Sequence, residues 1–393
     1  MITEIIPKKL SGKINAISSK SVAHRMLICA SLADKESKLQ IDTTSLDIEA
    51  TVSALESLGA EIKIEGNIYT ITPIKDKKDA LVDCNESGST LRFLVPVGAA
   101  LGKKCTFTGK GRLPSRPMKT LTDVLENHGI KVNDSFPVEI EGQLQKGRYI
   151  LDGSVSSQFV TGLLLALPVI GGGEIEVTGE MQSKSYINIT LSVMEKFGVK
   201  VEEKGNIFTV PDKKFVSSDL IAEGDWSNAA FFLAAGIQVE NLDINSEQGD
   251  KKIVQILELL NKEGDTEIDV SDIPDLVPVI AVKASVRKGR TSIVNAERLK
   301  LKESDRILST VSMINNLGGS AVGTDNSIII DGKEKLSGGT VDSFNDHRIV
   351  MASAIAAQYS ENNVIIKGAE AVNKSYPKFF EDYKKLGGVL NVM

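Results

Sequence analysis

The chain has 393 residues, 41% hydrophobic and 25% charged, which suits a soluble globular protein of two domains, three at most. A formal net charge of -6 without a basic tract argues against nucleic-acid binding, while a local field still leaves room for an anionic small substrate. Cys29, Cys84 and Cys105 lack disulfide or metal-ligand spacing, three histidines are too few for a zinc centre, and neither a signal-peptide core nor a bilayer-length apolar run is present, so a cytoplasmic protein with packing cysteines is expected.

In chain order, KSVAHRMLICASLA (20–33) reads as a helix apolar nearly all round, which is the pattern of a buried helix. ALESLGAEIKI (54–64) follows as an amphipathic helix, a glycine cap and a strand, and IEGNIYTI (64–71) extends it into a hairpin. The same succession returns. The other buried helices are SGSTLRFLVPVGAALG, SSQFVTGLLLALPVIGGG, DWSNAAFFLAAG, DIPDLVPVIAVKAS and NDHRIVMASAIAA. The other glycine-capped segments are VLENHGIKVND, VMEKFGVKVEE, LLNKEGDTEIDV, MINNLGGSAVG and YKKLGGVLNV. Hairpins are also expected at EKGNIFTV and GTDNSIIID. Gly59, Gly129, Gly198, Gly264, Gly318 and Gly387 mark an interval of about 70 residues, shortened once, between Gly264 and Gly318. The chain therefore reads as six copies of one α/β unit: buried helix, strand, amphipathic helix, glycine cap, strand, strand.

The openings of the buried helices carry the chemistry. A helix N-terminus presents free amides and partial positive charge, which suits anions. Ser21, Gly88, Ser89, Thr90, Ser156, Ser157 and Gln158 stand there, and serine or threonine alone would be an ordinary cap. His347 stands there, and so do Lys20, Arg25 and Arg348; lysine and arginine oppose the helix dipole by roughly 0.3–1 kcal/mol each, so the placement of those three points to an anion trap. GRLPSRPM (111–118) is a proline-rich loop whose Arg116 precedes Pro117 and should be extended. Its guanidinium suits a carboxylate or phosphate fork. Ser183, Lys184 and Tyr186 precede an amphipathic helix, and Lys374 precedes one that Pro377 helps open. Asp275 falls in the first turn of an apolar helix, where it is either a cap or a base whose pKa is raised by apolar walls. RLKLKESDRI (298–307) is either a solvated, ion-paired helix start or the lining of a site for a charged substrate.

Taken together, SKSVAHR, SGSTLR, SRPM, VSSQF, SKSYI, EGDWS, DIPD, LKESDR, NDHR and NKSYP resemble the enolpyruvyl transferases, and among them the branch whose acceptor is shikimate 3-phosphate. The resemblance runs from about Lys20 to Lys374. It implies an inverse α/β barrel fold in two similar domains, each of three repeated β/α units with buried helices. One domain would be 19–224 and the other 1–18 plus 225–393, with the active site in the interdomain cleft. It also implies a reaction. The 5-hydroxyl of shikimate 3-phosphate adds to C2 of phosphoenolpyruvate, and elimination of phosphate then leaves the enolpyruvyl ether, on the route to chorismate and the aromatic amino acids. No cofactor and no metal are implied; the partners are the two small-molecule substrates, with no nucleic acid, no membrane and a monomeric state.

Residue by residue, the resemblance places shikimate 3-phosphate against Lys20, Ser21, Arg25, Ser156, Ser157, Gln158, Ser183, Tyr186, Asp275 and Lys302. Phosphoenolpyruvate falls to Lys20, Gly88, Arg116, Gln158, Arg306, Arg348 and Lys374. The catalytic roles implied are Asp275 as base for the hydroxyl, Glu303 as proton carrier to the methylene carbon, and Lys20 at the leaving phosphate. Asp305 would orient the neighbouring arginine. Gly88 implies sensitivity to glyphosate. Two positions depart from the family pattern: Glu86 adds a negative charge in NESGSTLR, and Arg298 stands where an asparagine is usual. The rivals are a UDP-N-acetylglucosamine enolpyruvyl transferase and a non-catalytic anion-binding homologue. The first usually has a reactive cysteine in the loop that reads GRLPSRPM here, and Cys105 lies only upstream of it.

Overall fold

The computed structural model describes residues 1–75, 79–133 and 135–393. Asp134, the last residue of the second glycine-capped segment, lies outside them. The chain divides into two compact units: a contiguous unit, Ser18–Glu223, and a split unit, Met1–Ile17 with Gly224–Met393. Each has its own hydrophobic core.

The contiguous unit contains α1 (Lys20–Ser31), α2 (Leu46–Ser57), α3 (Gly88–Leu101), α4 (Lys119–Glu126), α5 (Ser157–Ala166) and α6 (Lys184–Lys196). The split unit contains α7 (Trp226–Ala234), α8 (Ile253–Leu260), α9 (Val277–Ser285), α10 (Arg306–Asn316), α11 (His347–Ala356) and α12 (Phe379–Lys385). The odd-numbered helices, apart from their first residues, are buried almost throughout, as expected of helices apolar all round. The even-numbered helices bury one face. All six marker glycines have positive φ, between 84° and 101°, a conformation that glycine adopts without a Cβ penalty.

Five of the six sheets have four strands and one pattern. In the second unit, Ala80–Asp83 pairs parallel with Cys105–Thr108 on either side of α3. The hairpin Ile130–Asn133 and Val138–Gly142 then completes the sheet antiparallel. In four of these sheets the repeat thus has a leading strand ahead of the buried helix, which the sequence pattern did not separate from the preceding turn; in the first sheet the parallel strand is Leu220–Ile221, from the end of the unit. The fourth unit departs further. Its sheet is only two strands, Lys13–Asn15 beside Gln238–Glu240. The strand expected after Gly264, Thr266–Asp269, instead opens the fifth sheet, parallel to Arg290–Val294. The short Gly264–Gly318 interval is this missing hairpin. The sixth sheet is completed from the start of the chain: Ile2–Ile6 lies between Val364–Lys367 and Val389–Val392, antiparallel to both.

Candidate active site

In the contiguous unit every buried helix is capped by a serine: Ser19 accepts from the Val22 amide, Ser87 from Thr90, and Ser156 from Gln158. Lys20 begins α1 and pairs at 2.7 Å with Asp47 in the first turn of α2. Arg25 lies one turn further in than the anion-trap reading placed it, and it is 2% exposed. Its guanidinium donates to Ser21 O at 2.6 Å, Thr190 Oγ1 at 2.7 Å and Tyr186 O at 2.9 Å, so it ties α1 to α6. It also lies 5.0 Å from the Phe93 ring centroid. Burial lowers its pKa to about 10.

Gly88 begins α3. Arg116 is extended, with φ -79° and ψ 138°, as a residue before proline should be. Its guanidinium covers Gly88: a Cβ there would overlap Nη1 and lie 2.9 Å from Cζ. Gln158 is held at both ends, accepting from Arg92 Nη1 at 2.8 Å and donating to Ser89 Oγ at 3.0 Å. Arg92 also donates to Pro117 O at 3.0 Å, which fastens the Arg116 loop to α3. Ser157 is buried beside its cap Ser156. Ser183 precedes α6 in the left-handed region, φ 54°, where a non-glycine residue is strained by about 1–3 kcal/mol. Its carbonyl accepts from the Tyr186 amide. Glu86 leans over Gly111, where a Cβ would meet its carboxylate carbon at 2.6 Å.

The split unit collects carboxylates and cations together. Asp275 sits in a separate 3-10 turn, Pro274–Leu276, ahead of α9, because Pro274 and Pro278 suit two successive helix starts. Its neighbours are cations rather than apolar walls. Oδ1 accepts from Arg306 Nη1 at 2.6 Å and lies 3.4 Å from Lys302 Nζ; Oδ2 accepts from Arg348 Nη2 at 2.9 Å. Arg306, 1% exposed, also donates to Glu303 Oε2 at 2.6 Å and Asp346 Oδ2 at 2.8 Å. Burial alone would lower its pKa, but Asp346, Glu303 and Asp275 outweigh that and hold it well above the ordinary value. Burial, with Arg306 and Arg298 nearby, lowers Lys302 to about 8 against the pull of Asp275 and Glu303. Lys374 ends a 3-10 turn and donates to Asn345 O at 2.7 Å.

RLKLKESDRI proves to be divided. Lys300 pairs with the exposed Asp325, whereas Lys302, Glu303 and Arg306 converge around Asp275. Asp305 does not orient the arginine; it caps α10 by accepting from the Leu308 amide at 3.1 Å. Asp346 orients it instead, while also capping α11. NDHR contained that signal, since an aspartate before a helical run is a favoured cap. Arg92 and Asp47 were also missed, because only the fold brings them to Gln158 and Lys20. So was Asp250, buried at the start of a 3-10 turn. Burial and then Asp275 raise its pKa to about 7, against the opposing pull of Arg348.

Two bodies of repeated β/α units, with buried helices opening on guanidinium, ammonium and carboxylate groups, define an α/β repeat enzyme for small anions. The chain belongs to the EPSP synthase (3-phosphoshikimate 1-carboxyvinyltransferase) family, whose profile matches residues 5–383, and is a transferase of the shikimate pathway. It is 40% identical to the 3-phosphoshikimate 1-carboxyvinyltransferase of Clostridium novyi (strain NT), covering 99% of this chain and 98% of the relative. It is 43% identical to that of Clostridium kluyveri, covering 98% and 97%. In fold it matches an EPSP synthase structure from Acinetobacter baumannii with a TM-score of 0.82 over 100% of both chains, at 24% identity. Among the described residues no helix is long and apolar enough to cross a membrane.

Proposed function

We propose that the chain joins the 5-hydroxyl of shikimate 3-phosphate to C2 of phosphoenolpyruvate and releases phosphate, with the residues described above. The observation that carries this reading is Asp275, gripped by Arg306, Arg348 and Lys302, with Glu303 on the same Arg306. A site that must hold two polyanions and also move protons needs guanidinium groups and carboxylates interleaved in this way.

In the first step the hydroxyl oxygen bonds to C2 while C3 takes a proton. Asp275 accepts the hydroxyl proton, and Glu303 delivers the proton to C3. In the second step the C2–O bond to phosphate breaks as C3 returns a proton to Glu303. Lys20 gives the departing phosphate a proton, and the proton that Asp275 took from the hydroxyl restores it. Arg116, Arg306, Arg348, Lys374, Gln158 and the Gly88 amide hold phosphoenolpyruvate. Ser21, Arg25, Ser156, Ser157, Gln158, Ser183, Tyr186 and Lys302, with Lys20 and Asp275, hold shikimate 3-phosphate. Each cation offsets repulsion between substrates and fixes their geometry.

The three-unit domains in this reading are 19–224 and 1–18 plus 225–393. The protein acts as a cytoplasmic monomer, without nucleic-acid partners, and glyphosate inhibits it. Cys105 supports the choice of acceptor: its thiol is buried in a strand and burial pushes it up to about 11, so it offers no reactive thiolate of the kind the sister enzymes use. The test is phosphate release from phosphoenolpyruvate with each acceptor. Release with shikimate 3-phosphate alone is expected; release with UDP-N-acetylglucosamine alone, or with neither, would sink the reading.

A further inference from the structure

A line of buried polar groups crosses three helices of the contiguous unit. His24 Nδ1 on α1 lies 2.7 Å from Thr51 Oγ1 on α2; Thr51 Oγ1 lies 2.7 Å from Thr90 Oγ1 on α3; and Thr90 Oγ1 lies 2.7 Å from Ser87 Oγ, the α3 cap. All four side chains are 1% exposed or less. The geometry lets Thr90 donate to Ser87. A hydroxyl has one proton, so Thr90 must then accept from Thr51, and Thr51 from His24. The chain of donors therefore runs one way, and it requires the imidazole proton on Nδ1. The remaining nitrogen, Nε2, is buried and accepts no hydrogen bond among the described residues, which is tolerable for a lone pair and costly for an N–H. Burial, with Lys20 and Arg25 nearby, holds the ring well below the usual histidine range and so neutral.

Thr51 and Asp47 are four residues apart on α2 and share a face. One holds His24 and the other holds Lys20, while Thr51 also reaches α3 next to Gly88. We infer that Thr51 is a positioning residue for phosphoenolpyruvate, fixing the opening of α1, with Lys20, against the opening of α3, with Gly88 and Ser89. The inference rests on the reading that these openings hold that substrate. Ser87 Oγ is fully engaged as an acceptor, by the Thr90 hydroxyl and the Thr90 amide.

Two measurements test this. Nitrogen-15 spectra of histidine-labelled protein without substrate, assigned with His128→Gln and His347→Gln variants, should show His24 neutral and protonated on Nδ1. Thr51→Val should raise KM for phosphoenolpyruvate about tenfold with kcat changed less than about threefold, and Thr51→Ser should restore KM to within about twofold. An Nε2–H tautomer or a charged His24 ring would overturn the relay. A Thr51→Val KM equal to that of the unaltered protein, a loss confined to kcat, or a Thr51→Ser variant no better than valine would overturn the positioning role. The tautomer is read without substrate, so it stands or falls separately from the functional reading.

Discussion

The two units cap their buried helices differently. In the contiguous unit the caps are Ser19, Ser87 and Ser156, all neutral. In the split unit the side-chain caps of α7 and α11 are Asp225 and Asp346, and α9 is preceded by Asp275. A serine cap satisfies amides while leaving the positive end of the helix dipole for an anionic ligand, whereas an aspartate cap neutralises it in advance. In the split unit the arginines at these openings are themselves held by carboxylates. The first arrangement suits binding. The second also places carboxylates among the cations.

If that contrast is functional, changes in the split unit should damage turnover and changes in the contiguous unit should damage affinity. The largest effect is expected from Glu303→Gln, a fall in kcat of roughly 10²–10⁴ with the fold intact. A loss below tenfold would remove Glu303 from proton transfer and break the contrast. Asp346→Asn takes the charge from the buried partner of Arg306, and denaturant unfolding should show a loss of about 3–5 kcal/mol. No measurable loss would mean that Glu303 and Asp275 suffice to hold the arginine.

Gly88→Ala tests the other unit. Displacing the Arg116 head should raise KM for phosphoenolpyruvate about tenfold, with kcat and stability little changed, because the group displaced is the far end of a flexible side chain. A fall in kcat alone would contradict the contrast. The Lys302 pKa of about 8 marks where the contrast stops, because this split-unit ammonium is read as a substrate contact: KM for shikimate 3-phosphate should rise by up to tenfold per pH unit above that value, as the ammonium is lost. A KM flat to pH 9.5 would exclude Lys302 from the phosphate contact. The smallest effect is on stability. Asp250 stays protonated in the folded chain up to about pH 7, whereas unfolded aspartate ionises near pH 4, so the folded state binds more protons between those values. Stability should fall as pH rises through that window, by about 1.4 kcal/mol per unit at most, and Asp250→Asn should flatten the fall. An unchanged pH profile in that variant would mean that Asp250 is ionised when folded.

Much of this was legible in the residues. The marker glycines and the all-apolar helices are local signals, and each appears where the pattern placed it. The site motifs were legible as helix openings for the same reason. The limits were topological. No local pattern says that Ile2–Ile6 pairs with Val364–Lys367, or that Lys13–Asn15 pairs with Gln238–Glu240. The same holds for the site. Asp275 read as a cap, or as a base against apolar walls, because its sequence neighbours are apolar, whereas its spatial neighbours are Lys302, Arg306 and Arg348 from other elements. Arg92 looked like one more residue of α3 until the fold brought it to Gln158 and Pro117.

The strand Ile2–Ile6 also sets an order of events during synthesis. Residues 18–223 emerge from the ribosome as one continuous stretch containing all three of that unit's sheets, so the unit can fold as soon as it is clear of the exit tunnel. The strand Ile2–Ile6, by contrast, is made long before its partners Val364–Lys367 and Val389–Val392 and must wait for them. Until then its apolar side chains and unpaired backbone are open to chaperones and to stray strand edges, and a nascent chain stalled short of residue 364 would hold one finished unit beside one that cannot close.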